Sequence, residues 1–286
     1  MQNILIIGFG KLGSHLYQAL KKSGKYKIKV IKKKSAGKKI LSGFITKSDI
    51  VFICVQDSYI ENTAAKIATL NTDLNKKIFF HTSGALTSDA LAVLSKAGAE
   101  TASFHPVQTF AAKTAGYSKL FRNIFIAIEG SKRAADAGYK IAFSAGAVPF
   151  TLKKKDKTLH HICCVMASNY LTVLASKIED IHTKKIRING FKQNEFLNIY
   201  IPLAKQTIEN ISVKNSLSAL TGPIERNDLK TVGKHLDELK KTGNNMLMFY
   251  VLMGIETVKL ALKKKSINKS QANKLYKLFS NCIIKQ

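Results

Sequence analysis

A short apolar run that stops dead at glycine constrains this chain most. Gln2 to Ile7 is an Ile/Leu-rich hexapeptide, the pattern of a fully buried strand. Gly8-Phe9-Gly10-Lys11-Leu12-Gly13 follows with no spacer. Ser14 to Ser23 then has helical spacing, with Leu12, Leu16 and Leu20 on one stripe, and Gly24 stands where a C-cap belongs. In such a strand–turn–helix unit each glycine has its own task. Gly8 permits the tight turn, Gly10 lets a pyrophosphate approach the backbone, and Gly13 lets the helix pack closely on the sheet. The helix N-terminus, with free N–H groups and a positive dipole end, suits the phosphate charge. Phe9, Lys11 and Leu12 complete the candidate cradle. A glycine turn kept only for packing is the plainer reading, and the motif's position favours a dinucleotide.

The pattern then repeats. Strand candidates occur at Tyr26–Ile31, Asp49–Val55, Lys77–His81, Thr101–Phe104, Asn123–Ile128 and Ala147–Leu152. Helices are predicted near Ile60–Leu70, Ser88–Ala97 and Ser131–Ser144. This alternation predicts an α/β domain with a doubly wound, mostly parallel sheet. After the charged break Lys153-Lys154-Lys155-Asp156 the chain turns helical. One long helix is predicted from Lys157 to about His182, apolar around most of its girth and so expected to be buried. Others follow near Gln193–Ile211, Asp228–Lys241, Asn244–Lys264 and Lys269–Cys282. The expected organisation is a dinucleotide-binding domain over residues 1–152 and an all-α substrate and dimerisation domain over 153–286.

Composition narrows the function classes. At 45% hydrophobic residues the chain can bury a core, which excludes bulk disorder. The formal net charge is +28, but only Arg122, Arg133, Arg187 and Arg226 among the 46 basic residues are arginines. Specific nucleic-acid readout leans on arginine forks, so dispersed lysine predicts general attraction of anions rather than base recognition. No apolar run approaches the roughly 20 residues of a membrane span, since Met246–Ile255 ends at Glu256. No secretory signal is recognisable, so a cytoplasmic location is expected. Cys54, Cys163, Cys164 and Cys282 show neither a zinc spacing nor a disulfide framework and are expected to be buried thiols, with no metal site.

Cofactor choice turns on the second strand. NAD sites carry an acid about 20 residues beyond the motif, for the ribose hydroxyl. No acid precedes Asp49 here, and Lys32, Lys33 and Ser35 follow the strand instead. Cations and a hydroxyl suit a 2′-phosphate, so NADP is expected over NAD. Ligands in open sheets lie beyond the carboxyl ends of the strands. Val55, Gln56 and Asp57 at one such end are assigned to the cofactor edge. His81 and Ser83 end the next strand, and His105 the one after. Each histidine could instead brace a loop. On the long helix His160, His161, Ser168 and Asn169 interrupt apolar sequence, and His161 and Ser168 share a face. Arg226, in LTGPIERND, suits a carboxylate or phosphate unless it pairs with Glu225 or Asp228.

The strings GFGKLG, HTSGALTSDAL, SFHPVQTF, KTLHHICCVMASNYL and LTGPIERND, in that order, resemble a bacterial family with a Rossmann-like N-terminal domain and a C-terminal domain of unknown function. The resemblance covers approximately residues 1–265. That family is similar in layout to 6-phosphogluconate dehydrogenase, the β-hydroxyacid dehydrogenases and pyrroline-5-carboxylate reductase. The resemblance implies an NADP-dependent oxidoreductase, a homodimer with intertwined helical domains, and an active site between the domains. It also implies a departure. The β-hydroxyacid dehydrogenases carry a lysine four residues before an asparagine on the long helix. If Asn169 is that asparagine, Val165 occupies the lysine position, and the lysine is missing. The expectation is therefore reduction of a carbonyl or imine in a small anionic substrate. His161 would be the general acid, Ser83 and Asn169 would orient the substrate, and His105, His81 and Arg226 would bind it. The competing expectation is a non-catalytic NADP-binding sensor or scaffold.

Overall fold

The computed structural model describes residues 1–32, 37–110, 120–186 and 195–282. Its strands are β1 (Gln2–Ile7), β2 (Tyr26–Ile31), β3 (Ile50–Ile53), β4 (Ile78–His81), β5 (Glu100–Pro106), β6 (Phe125–Gly130) and β7 (Val148–Thr151). Among the described residues they form a seven-stranded sheet in the order β2-β1-β3-β4-β5-β6-β7. The first five strands run parallel, β6 is antiparallel to β5, and β7 is parallel to β6. The chain leaves β1 for one side of the sheet and returns through β3 on the other, so a topological switch point lies beside the glycine turn.

Helices α1 (Lys11–Ser23) and α5 (Lys132–Ser144) cover one face of the sheet. Helices α2 (Lys38–Thr46), α3 (Ile60–Ala68) and α4 (Ala92–Lys96) cover the other. Strand alternation explains this division. Ile4, Ile6, Phe52, Phe80 and Phe104 pack under α1 and α5. Leu5, Ile7, Val51, Ile53 and Phe79 pack under α2, α3 and α4. Full burial of each such side chain contributes about 1.5–3 kcal/mol, so these two layers outweigh any local propensity in fixing the sheet. Helix α2 and the short α9 (Ser216–Ala219) have no counterpart in the sequence-based assignment. The segment before α2 is rich in lysine, and its periodicity is weak.

Further on come α6 (Lys157–Val165), a π-helical turn at Met166–Tyr170, and α7 (Leu171–Lys185). Then follow α8 (Leu197–Lys214), α9, α10 (Leu229–Lys240), α11 (Asn244–Lys264) and α12 (Lys269–Ser280). The chain divides into two compact units, Met1–Tyr170 and Leu171–Gln286. The sheet-bearing unit thus keeps the segment 153–170, which the sequence reading gave to the helical part.

Three expectations need correction. The long helix is not buried: Leu159, Ile162, Met166, Tyr170, Leu171 and Val173 are all exposed. Its apolar girth is left uncovered by the described residues. Among the cysteines, Cys54 and Cys282 are buried, but Cys163 is exposed and Cys164 only half-buried. Helix α11 is long and apolar enough, by length and composition alone, to cross a membrane. Glu256 interrupts the sequence but not the helix. Its buried stripe of Leu247, Val251, Gly254, Val258 and Ala261 joins a helical core with α10 and α12.

Candidate active site

The parallel register lines up the strand ends. Ile31, Ile7, Ile53, His81 and Ser103 form one rung across β2, β1, β3, β4 and β5, and Ser103 faces Glu129 on β6. Apolar on the left and polar on the right, this rung separates a nucleotide side from a chemical side.

On the nucleotide side, Gly8 adopts φ +97°, and a side chain there would run into the Cys54 carbonyl. A side chain on Gly13 would meet the Gly8 carbonyl. At Gly10 the space is open, and among the described residues no side chain caps the first turn of α1. The turn therefore offers bare N–H groups to an anion, and its residues fit a dinucleotide pyrophosphate. Beside it lies a cavity of about 420 Å³ lined by Phe9, Tyr17, Ile28, Lys29, Val30 and Lys32. The Lys32 ammonium sits 5.9 Å from the centre of the Phe9 ring. Lys33 and Ser35 lie outside the described residues. Lys11 is exposed and Leu12 half-buried. Val55 is half-buried, whereas Gln56 and Asp57 are exposed just past β3.

On the chemical side, His81 is wholly buried. It donates through Nε2 to the Thr87 carbonyl at 2.9 Å and accepts at Nδ1 from the Ser83 amide at 3.2 Å. Both ring nitrogens are thus spent on the loop, and burial pushes its pKa down to about 4. The Ser83 hydroxyl donates to Asp57 Oδ2 at 2.6 Å and accepts from the amides of Ala85 and Leu86. Its hydrogen-bonding capacity is filled within the loop. These two residues shape the 81–87 turn.

That turn carries Gly84, where a side chain would lie 2.6 Å from His161 Nδ1 and 2.7 Å from His105 Nε2. The missing Cβ is what lets two imidazoles converge there. Their ring centres are 6.0 Å apart. His105 Nδ1 and His161 Nδ1 are both buried without a hydrogen-bond partner among the described residues. Burial first, and then the Lys157 charge, pushes the pKa of His105 down to about 3. It is neutral at ordinary pH and can offer an anion a hydrogen bond but no charge.

Lys157 is the residue that sequence reasoning missed. It is fully enclosed, and its ammonium donates to Ser103 Oγ at 2.5 Å. Ser103 in turn donates to the Ser83 carbonyl at 3.4 Å. Burial lowers the pKa of Lys157 to about 8, against the opposing pull of Glu129 and Asp57. Lys157 stands four residues before His161, so both project from one side of α6. A buried lysine is thus present on the long helix, eight residues, or about two turns, before the Val165 position that Asn169 implied. Asn169 itself is exposed on the π-helical turn. Arg226 belongs to the other compact unit and is exposed, near Asp228, which caps α10 through Thr231. Glu225 pairs with Lys264 at 3.0 Å.

Residues 124–257 match the model of a domain of unknown function, DUF2520. The match begins at β6, so it takes in the last strands of the sheet as well as the helices that follow. No curated protein matches by sequence. Among solved structures, a protein from Thermotoga maritima superposes with a TM-score of 0.66 at 22% identity, covering 92% of this chain and 99% of that one. A Bacteroides fragilis protein assigned provisionally to the NADP oxidoreductases gives 0.67 at 19% identity, covering 91% and 98%. Plasmodium falciparum pyrroline carboxylate reductase, with NADP bound, gives 0.56 at 13% identity, covering 97% and 98%. The shared architecture is a Rossmann sheet followed by an all-α region.

Proposed function

We propose that this chain is an NADP-dependent oxidoreductase that reduces a carbonyl or imine in a small anionic substrate. The carrying observation is the enclosed Lys157 beneath two converging imidazoles, at strand ends shared with an uncapped glycine turn. The similarity to a provisionally assigned NADP oxidoreductase and to pyrroline carboxylate reductase supports the reading.

The glycine turn at Gly8, Gly10 and Gly13 would hold the pyrophosphate, with Val55, Gln56 and Asp57 along the cofactor edge. Lys32 would take the 2′-phosphate, a role that presumes no acid competes there, and none precedes Asp49. When bound, NADPH supplies the hydride. His161 then delivers a proton to the substrate heteroatom from its half-exposed ring. His105 donates a hydrogen bond to the substrate. Lys157 is too enclosed to touch substrate. It acts through its neighbours, holding positive charge under the site and adding to the burial that keeps His105 unprotonated. Asn169 would orient the substrate from the exposed π-helical turn.

The test is a screen of NADPH and NADH consumption against small keto acids and cyclic imines, with His161→Ala alongside. Turnover with NADPH that drops by about 100-fold or more in the variant is expected. NADPH binding with no turnover on either substrate class would favour a sensor instead, and preference for NADH would overturn the Lys32 assignment.

A further inference from the structure

The mechanism leaves one flank of α6 unused. His160 and Cys164 are four residues apart on that helix and so project from one face. The thiol sulfur lies 3.6 Å from His160 Nε2. His105, arriving from β5, meets the His160 ring edge-on at 5.9 Å between centres. One nitrogen from each imidazole and the sulfur gather within 4.8 Å of one another. We infer that His105, His160 and Cys164 form a binding site for a zinc-class transition-metal ion, with its fourth position open.

The donor set selects the ion. Calcium and magnesium take oxygen ligands, and a single thiol is too few for an iron–sulfur cluster. Two imidazoles with one thiolate suit zinc and its neighbours. Zinc bonds of about 2.0–2.1 Å to nitrogen and 2.3 Å to sulfur put tetrahedral donors roughly 3.3–3.8 Å apart. The His160–Cys164 pair is already at that spacing. The His105 ring would have to close by about 1 Å, a small side-chain rotation on the scale of those bond lengths. Other features favour occupancy. All three residues are half-buried, accessible to an entering ion yet shielded from bulk water. Phe150 packs edge-on against His160 at 5.6 Å and fixes the ring. His105 Nδ1 is buried with no hydrogen-bond partner among the described residues. The Lys157 ammonium opposes a cation here, but the charges of Glu129 and Asp57 act on it in return. Three protein ligands and an open position is the pattern of sites where a metal polarises a bound oxygen. The ligands come from two elements far apart in sequence, so no metal spacing is visible in the chain itself.

The experiment uses the full chain, stripped with chelator and titrated with cobalt(II), then with zinc(II). One equivalent of cobalt per chain and a near-ultraviolet thiolate-to-cobalt band are expected, with zinc displacing the cobalt. The band should vanish in Cys164→Ser and persist in Cys163→Ser. Affinity in His160→Ala should fall by at least about tenfold, since even outer-shell changes cost that much. Circular dichroism on each variant checks that it folds, and NADPH fluorescence on the same samples reports the nucleotide site separately. No band in the native chain, or a band that survives Cys164→Ser, overturns the proposal while leaving the oxidoreductase reading untouched.

Discussion

Lys157 shows how burial turns a common residue into a special one. Most lysines of this chain are solvated, and their abundance hides any single one in the sequence. Enclosure by the strand ends lowers the pKa of Lys157 from 10.5 to about 8. The sign follows directly: below about pH 8 the amine is charged, and above it the site loses that charge. Reduction of an anionic substrate should therefore slow as pH rises through about 8. The expected profile of kcat/KM for reduction has a falling alkaline limb there, and Lys157→Met should remove the limb as well as lower the rate. A limb unchanged in that folded variant would show that Lys157 is only packing. The glycines of the turn were legible because their chemistry is local: a tight turn and a bare helix end can be read from spacing. Lys157 was not, because enclosure is a tertiary property. His81 was half-legible. Its place at a strand end could be read, but its commitment to Thr87 and Ser83 depends on how the loop folds back.

At the scale of elements, the strands were readable from their apolar runs, and the sheet's two cores follow from alternation along each strand. The reversal of β6 was not readable, since an antiparallel and a parallel neighbour leave the same apolar pattern. The turn from β4 to α4 carries the most consequence. Its shape depends on His81 and Ser83, and its tip on Gly84. Adding one methyl group at Gly84 places it 2.6 Å from one imidazole and 2.7 Å from the other. Both contacts are too close for carbon against nitrogen, so the rings must part. Gly84→Ala is expected to bind NADPH as the native chain does and to lose at least about 90% of turnover, since misplacement by 1 Å can cost about 100-fold. Steady-state kinetics beside an NADPH fluorescence titration make the comparison. Native turnover in this variant would mean that the two imidazoles do not act together.

At the scale of the whole molecule, the exposed apolar surface needs an occupant. Helix α8 spans 18 residues without one buried side chain, although Ile201, Leu203, Ile208, Ile211 and Val213 all lie on it. The α6–π–α7 stretch adds Leu159, Ile162, Met166 and Tyr170 in one unit, and Leu171, Val173 and Leu174 in the other. A monomer seldom leaves so much apolar side chain in water. We propose that a second copy of the chain covers it, forming a homodimer. Charge works against that association: with +28 on each copy, like-charge repulsion must be overcome by apolar burial. Salt screens the first and spares the second. Light scattering behind size exclusion should therefore give twice the 31.6 kDa chain mass, and the dimer should hold or tighten as salt is raised. Nucleic-acid association would weaken under the same titration. Ile208→Glu combined with Ile211→Glu should shift the mass to that of one chain with helix content retained. A native chain that runs as a monomer at micromolar concentration and high salt would leave the apolar faces of α7 and α8 without the partner proposed for them.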